Sequence, residues 1–263
     1  MGRIENKLTE LRQRSRKTLV FFVTAGYPKL DSTPAIAGAL EEGGADMLEI
    51  GMPFSDPLAD GPVIQHSSMI AIQNGVTLET IFEAVRCIRS RSSIPLILMG
   101  YLNPIMGFGV DKFFNEAANA GVDGIILPEL PLEETHRFKE NFQANALSQI
   151  LLVTPTTSED RIARIDAAAC GFLYCVSTAG VTGTSRTTDI KSYLQRIRKN
   201  ASKNSLLVGF GISAPDDAAA VATVSDGVII GSALIRQIEK TSDTAALRSW
   251  ANTFRTSLDK PPC

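Results

Sequence analysis

Residues 45–51 read Ala-Asp-Met-Leu-Glu-Ile-Gly, a short and largely apolar run that begins with Ala-Asp and has a second acid, Glu49, near its end. A run of this length that ends at a glycine predicts a buried β-strand. Because the run is continuously apolar rather than alternating, both faces of the strand are expected to be covered, as in a parallel sheet. Segments with helical periodicity flank it at residues 33–42 and 78–90.

Similar runs recur along the whole chain, at residues 18–25, 95–100, 122–127, 148–153, 171–176, 205–209 and 226–230. Helical patterns separate them, among them residues 112–120, 132–145 and 189–199, and residues 4–14 predict an extra helix before the first strand. Eight βα units in 263 residues favour an α/β fold of the closed (β/α)8 TIM-barrel type over a doubly wound sheet. Because no linker divides the chain, we expect a single domain over residues 1–263.

Composition narrows the possible partners. The 26 basic and 28 acidic residues are interspersed and give a net charge of -2. Such a balance predicts binding to neither nucleic acid nor an anionic membrane. No apolar run approaches the roughly 20 residues needed to span a bilayer. The charged residues 1–17 lack the apolar core of a signal peptide, so the sequence predicts a cytoplasmic protein.

Potential metal ligands are few. The cysteines lack zinc spacing, and the first three lie in or beside apolar segments, so we expect buried, reduced thiols: Cys87, Cys170, Cys175 and Cys263. The two histidines, His66 and His136, lie in polar or helical stretches and are interpreted as surface or satisfied side chains. The sequence therefore predicts no metal site.

Glu49 is the first candidate for chemistry. Strand alternation turns it away from Leu48 and Ile50, into the barrel and near its C-terminal mouth. Burial there favours the protonated form and raises the pKa, which suits a general acid and base. The alternative is a glutamate paired with a buried basic group, although no Lys or Arg lies within the neighbouring predicted strands.

Asp60 is a second candidate carboxylate. It lies in residues 52–62, a loop stiffened by three prolines, eleven positions after Glu49. At this edge of the barrel it is suited to accept a hydrogen bond from a substrate N–H and to stabilise positive charge. Taken alone, an aspartate in a loop is more often a turn residue or a helix cap.

Glycines follow the last three predicted strands, at residues 180–183, 209–211 and 231. In barrels of this type the loops after strands seven and eight often hold a phosphate through backbone N–H groups. Tight turns also require glycine, but three such segments at one end of the barrel favour a phosphate site that is built without a lysine.

Other strand residues allow two interpretations. Tyr174 either presents its hydroxyl near Glu49 or fills the barrel. A further group of apolar strand residues has two possible explanations. They either form an apolar slot for a flat aromatic ligand or belong to ordinary core packing: Phe22, Met99, Leu152, Phe210 and Ile229.

A longer pattern adds a family resemblance. Residues 48–62, Leu-Glu-Ile-Gly-Met-Pro-Phe-Ser-Asp-Pro-Leu-Ala-Asp-Gly-Pro, resemble the signature of tryptophan synthase α chains. Residues 21–28, 180–183 and 209–213 are similar to further segments of that family, so the resemblance extends over nearly the whole chain. It implies retro-aldol cleavage of indole-3-glycerol phosphate to indole and glyceraldehyde 3-phosphate.

The resemblance also implies roles for individual residues. Glu49 matches the family's acid and base, which acts on the glycerol hydroxyl and protonates indole C3. Asp60 matches the residue that accepts a hydrogen bond from the indole N–H, and Tyr174 matches the active-site tyrosine. Thr182 matches a lid residue that contacts Asp60 when the loops after strands two and six close. Positions that match the phosphate site are Gly183, Gly211, Gly231 and Ser232, and those that match the indole pocket are Phe22, Met99, Phe210 and Ile229.

Family members pair with a pyridoxal-phosphate β subunit in an αββα assembly and pass indole to it through a tunnel. The resemblance thus implies no cofactor in this chain and a partner surface that includes Pro53, Asp56, Pro57, Asn103 and Glu129. Many members have Asp at the position of Glu129, and often Arg at that of Thr178, which puts the strength of coupling to the partner in doubt.

Three other functions compete with this interpretation: another phosphate-binding barrel enzyme, an α subunit that only activates its partner, and a stand-alone lyase that releases indole. The segment from Glu49 to Asp60 argues against the first, and retention of Glu49, Asp60 and Tyr174 against the second. The third would have the same residues at its active site, so turnover without a partner would distinguish it.

Overall fold

A computed structural model describes residues 2–176, 186–209, 211–241 and 243–260. Thr178, Thr182, Gly183, Phe210 and Cys263, which the sequence analysis singled out, lie outside the described residues.

The strands form a closed barrel in chain order, in which each strand pairs in parallel with the next and β8 pairs with β1. They are β1 (Thr18–Thr24), β2 (Met47–Gly51), β3 (Leu96–Met99), β4 (Gly124–Ile126), β5 (Ser148–Val153), β6 (Phe172–Val176), β7 (Ser205–Gly209) and β8 (Gly227–Ile230). The predicted (β/α)8 barrel is confirmed.

Helices follow every strand and surround the barrel. In the described residues they are α1 (Arg3–Gln13), α2 (Thr33–Glu42), α3 (Pro62–Gln73), α4 (Leu78–Arg89), α5 (Leu102–Phe108), α6 (Val110–Ala120), α7 (Lys139–Ala144), α8 (Glu159–Ala168), α9 (Arg186–Asn200), α10 (Pro215–Ala222), α11 (Ser232–Lys240) and α12 (Thr244–Leu258). The extra helix predicted before β1 is α1.

The helix predicted over residues 132–145 is divided. Leu132–Phe138 is a 3-10 helix, and α7 begins only at Lys139. Two side chains bond to carbonyl oxygens three residues earlier: the Thr135 hydroxyl donates to Leu132, and the His136 ring contacts Glu133. Such local bonds compete with the α-helical pattern and favour the tighter turn.

The strand residues are buried on both faces of the sheet, as the apolar runs predicted. Phe21 on β1 packs outward against α12, with ring centroids 5.8 Å from Trp250 and 6.1 Å from Phe254. The next residue, Phe22, points to the opposite side, into the barrel. This alternation determines which strand residues reach the interior.

The prediction of buried cysteines is correct for Cys175 and wrong for Cys87 and Cys170, which are exposed. Helix α4 buries Ile81, Phe82, Val85 and Ile88, and Cys87 lies off that face. Cys170 lies in the turn between α8 and β6.

His66 and His136 are exposed, as expected. Across the described ranges, no three His, Cys, Asp or Glu side chains gather in a way that could hold a metal ion. None of the described helices combines the length and apolarity needed to cross a bilayer.

Candidate active site

Glu49 lies in β2 between Leu48 and Ile50, with its side chain fully buried inside the barrel. Neither of its carboxylate oxygens has a hydrogen-bond partner among the described residues. The alternative of a buried ion pair is therefore not observed in the part of the chain that is described. A buried polar group without a partner is energetically costly and suggests a functional role.

The electrostatic state of Glu49 follows from this position. Burial, and to a lesser extent the nearby charge of Asp60, together raise its pKa from 4.5 to about 8. At neutral pH the side chain is therefore mostly protonated and able to give a proton, and its carboxylate form remains within reach.

Asp60 lies in the loop between β2 and α3, and its carboxylate borders the same cavity as Glu49. Its backbone N–H donates to the Pro57 carbonyl (3.1 Å), so the residue does take part in a turn. The N-cap of α3 is Gly61, so Asp60 is not the helix cap. Burial raises the pKa of Asp60 to about 6.

Tyr101, directly after β3 and its following glycine, holds this loop. Its hydroxyl accepts the Ala59 backbone N–H (2.9 Å) and is hydrogen-bonded to Asp60. The bond to Asp60 favours the charged carboxylate and opposes the rise in its pKa. Tyr101 thus positions Asp60 and keeps its pKa lower than burial alone would.

Tyr174 on β6 is buried in the barrel interior and borders the cavity together with Glu49. Burial raises the pKa of its hydroxyl, and the charges of Glu49 and Asp60 act in the same direction. Gly209 on β7 leaves room for it, because a Cβ there would lie 2.2 Å from the Tyr174 hydroxyl oxygen. Tyr174 thus both fills the barrel interior and borders the cavity that holds Glu49, and a role for its hydroxyl stays a prediction.

A cavity of about 340 Å³ opens at the C-terminal mouth and brings these side chains together. Its size lies within the range of small-molecule sites. The predicted site residues that border it are Phe22, Glu49, Asp60, Met99, Tyr174, Gly211, Ile229, Gly231 and Ser232. Leu152 does not border it and packs partly buried against the core.

One end of the cavity is formed by Gly211, which has a φ of +77°, and by the start of α11. Gly231 is the N-cap of that helix and Ser232 its first residue. The first N–H groups of a helix lack intrahelical acceptors and are suited to hold an anion. The glycines after β7 and β8 thus border the cavity, the third glycine segment lies outside the described residues, and phosphate binding stays a prediction.

Sequence reasoning missed several residues that form the site: Gly61, Ile64, Tyr101, Ile212, Ser213 and Arg236. Arg236 is the one with a readable signal, since it follows Ser232 by four positions and a helix brings such positions to one face. Tyr101 follows a strand end, where function gathers in a barrel of this type.

The residues predicted to meet a partner all follow the C-terminal ends of strands. Pro53, Asp56 and Pro57 lie after β2, Asn103 lies in α5 after β3, and Glu129 lies after β4. The aromatic rings of Phe54 and Tyr101, 5.3 Å apart, join the first two loops. The Glu129 carboxylate accepts a hydrogen bond from the Leu102 backbone N–H and so joins the segment after β3 to the loop after β4.

A family model described as "Tryptophan synthase alpha chain" matches residues 8–257. The chain belongs to the tryptophan synthase alpha chain family. Members of the tryptophan synthase alpha chain family are lyases of tryptophan biosynthesis, and their known role is the cleavage of indole-3-glycerol phosphate. Membership also implies a beta-subunit partner.

Individual members of the family agree over nearly their full length. The tryptophan synthase alpha chain of Geotalea daltonii is 47% identical over 92% of this chain and 92% of its own. That of Petrotoga mobilis is 46% identical, over 90% and 92% respectively. The solved tryptophan synthase subunit alpha of Legionella pneumophila superposes with a TM-score of 0.91 at 38% identity, over 98% of this chain and 99% of its own.

Proposed function

We propose that this chain carries out the reaction of its family, the cleavage of indole-3-glycerol phosphate to indole and glyceraldehyde 3-phosphate, with Glu49 as the acid and base. The observation that carries the proposal is a fully buried carboxyl group that has no hydrogen-bond partner among the described residues and borders a cavity beside a second carboxylate.

In the proposed reaction Glu49 begins protonated and gives its proton to C3 of the indole ring. The resulting carboxylate then takes the proton of the glycerol hydroxyl next to that carbon. As the hydroxyl becomes the aldehyde of glyceraldehyde 3-phosphate, the carbon–carbon bond breaks, and its electron pair returns to the ring to give indole. Glu49 is protonated again at the end, which requires a pKa near neutrality.

Asp60 is proposed to bind the indole N–H. Protonation at C3 places positive charge on the ring nitrogen, and a carboxylate beside it stabilises that charge. The role needs Asp60 ionised while Glu49 is protonated. With pKa values of about 6 and about 8, both conditions hold between those two pH values. We therefore expect a bell-shaped profile of kcat/KM whose limbs belong to the coupled pair.

The rest of the cavity suits the two ends of the substrate. Phe22, Met99 and Ile229 offer apolar surface for a flat ring, and Tyr174 stands beside Glu49. Gly211 and the start of α11 offer backbone N–H groups for the phosphate, with Ser232 as an additional donor. Gly183, Phe210 and Thr182 are proposed to complete these subsites and the lid, and they lie outside the described residues.

The partner is proposed to be a pyridoxal-phosphate β subunit in an αββα assembly, with no cofactor in this chain. Its docking surface is proposed to include the loop after β2, the start of α5 and Glu129. Two exposed apolar side chains support this location: Leu58 in that loop is 94% exposed, and Met106 on α5 is 54% exposed. A single domain over residues 1–263 and a cytoplasmic location belong to the same proposal.

The test is product analysis with the purified chain and indole-3-glycerol phosphate, alone and with a β subunit of a related synthase. Stoichiometric indole and glyceraldehyde 3-phosphate, formed faster with the partner, are the expected result. Equal and fast release without the partner would instead identify a stand-alone lyase. An absence of both products, with the β subunit still activated, would mean a non-catalytic activator and contradict the proposed reaction.

A further inference from the structure

Arg236 is a charged residue of the cavity that the glycine pattern did not reveal. It lies on α11, four residues after Ser232, and both residues border the cavity. Four residues correspond to about one helical turn, or roughly 6 Å along the axis. Side chains on a helix lean toward its N-terminus, so the Arg236 side chain extends toward the turn that contains Gly231 and Ser232.

The guanidinium of Arg236 is available for a ligand. It makes no ion pair or hydrogen bond with any described residue, unlike the arginines of the barrel's other end, such as Arg89 and Arg255. The nearest acid on its own helix, Glu239, is hydrogen-bonded to Tyr27 instead. The side chain is exposed, so its charge is not buried.

Without this residue, the described lining of the cavity carries no cation. Among its described lining residues the ionisable groups are Glu49, Asp60, Tyr174 and Arg236, so Arg236 is the one cation. A phosphate monoester brings about two negative charges at neutral pH into a site that already holds an ionised Asp60. Backbone N–H groups supply only partial positive charge.

We propose that Arg236 is a substrate-binding residue for the phosphate group, which it attracts and pairs with across the start of α11. The proposal rests on the proposed function, because it concerns the same cavity. It differs from the glycine-based site in adding a full charge, and a guanidinium can also donate two parallel hydrogen bonds to phosphate oxygens.

The expected effect is confined to phosphate recognition. Solvent partly screens the charge of the side chain, so its removal should weaken binding of a phosphorylated ligand by only roughly fivefold. The affinity of the variant should also depend less on salt concentration than that of the wild type. Removal of the side chain leaves kcat within about twofold, since the phosphate group that Arg236 is proposed to bind does not react, and its interaction is therefore the same in the ground state and the transition state.

The experiment compares Arg236→Gln with a matched control, Lys240→Gln. Lys240 ends the same helix, is exposed and does not border the cavity, so its loss removes the same charge at one turn's distance. Binding of sn-glycerol 3-phosphate is measured by calorimetry at low and high salt, next to KM and kcat for indole-3-glycerol phosphate. Unfolding curves establish that both variants fold.

Weaker binding and a raised KM in Arg236→Gln alone, with kcat retained, are the predicted result, and Arg236→Lys should recover part of the loss. Equal binding by Arg236→Gln, Lys240→Gln and the wild type would overturn the role of Arg236 and leave the proposed function intact. A wild type that binds sn-glycerol 3-phosphate but forms no indole would contradict the proposed function, while the comparison of binding still decides the role of Arg236.

Discussion

The two ends of the barrel treat their carboxylates in opposite ways. At the N-terminal end Asp46 precedes β2 and accepts the Leu19 backbone N–H of β1, and Asp123 precedes β4 and accepts the Leu96 N–H of β3. Asp226, before β8, accepts the Leu206 N–H of β7 in the same way. The carboxylates at this end therefore bridge neighbouring strands.

Each of these aspartates also has an arginine partner. Asp46 pairs with Arg255 (3.0 Å), Asp123 with Arg89 (2.9 Å) and Asp226 with Arg198 (2.6 Å). At the C-terminal mouth Glu49 is more deeply buried than any of them and has no bond to a described residue. The contrast shows that carboxylates at one end join neighbouring strands through hydrogen bonds and ion pairs, while at the other end a carboxyl group without such partners is retained for chemistry despite its cost.

Apart from changes at Glu49 itself, the variant expected to lower kcat most at the mouth is Asp60→Asn. The amide keeps the shape of the side chain and removes the negative charge that is proposed to stabilise the indole ring nitrogen. Loss of one electrostatic contact of this kind lowers kcat by about 100- to 1,000-fold. Steady-state indole release measures it. Activity within tenfold of the wild type would show that the charge of Asp60 is not needed at the mouth.

Asp46→Asn tests the other end. Breaking this buried ion pair leaves Arg255 with the more exposed Asp259 as its remaining described ion-pair partner and should lower the free energy of unfolding by about 3 kcal/mol. The kcat of the folded enzyme should not change, because Asp46 lies at the opposite end of β2 from the cavity. Denaturant unfolding provides the measurement, with Glu42→Gln, which breaks an exposed pair with Arg248, as the matched control.

Tyr101→Phe is expected to have a moderate effect at the mouth. It removes the hydrogen bond that favours ionised Asp60, so the pKa of Asp60 rises above about 6. The acidic limb of the pH profile of kcat/KM should therefore move to higher pH, by less than about one unit. An unchanged acidic limb would mean that Asp60 does not control it.

Glu129→Ala is expected to have the smallest effect. It removes a carboxylate that accepts the Leu102 N–H at the start of α5, an interaction of about 1 kcal/mol. The chain alone should keep its turnover, and more β subunit should be needed for half-maximal activation. A titration with β subunit measures this, and a change in the activity of the isolated chain would contradict a role limited to the partner surface.

Much of the fold was predictable because each strand of a parallel barrel is buried on both faces and therefore appears in the sequence as a separate apolar run. The bounds were less exact: residues 122–127 were predicted as one strand, whereas β4 covers only Gly124–Ile126. Val122 and Asp123 belong to the turn that connects α6 to β4, and the Asp123 carboxylate bridges to the backbone of β3. The 3-10 helix before α7 and the exposure of Cys87 and Cys170 depend on local bonds and helix rotation that periodicity does not specify.

In the site, Glu49 was predictable because strand alternation alone turns it inward. Arg236 and Tyr101 were missed although their spacing carried a partial signal, because which side chains reach the mouth also depends on how a helix and a loop pack over it. The bridging aspartates are also invisible in sequence, because each joins groups that lie far apart along the chain, such as Asp46 and Arg255.

Glu49 is kept for chemistry at the expense of stability, and Glu49→Gln tests both the chemical and the energetic consequence. The folded-state pKa of about 8 lies above the value of 4.5, so wild-type stability falls as the pH rises from about 4.5 to about 8. The variant lacks this loss.

Unfolding of wild type and Glu49→Gln between pH 4 and pH 8, together with indole release, is the measurement. The account predicts a loss of activity of about 1,000-fold, and a variant that is about 3 kcal/mol more stable at pH 7 with no such gain near pH 4. A variant that keeps its activity, or whose stability relative to the wild type does not change with pH, would contradict it.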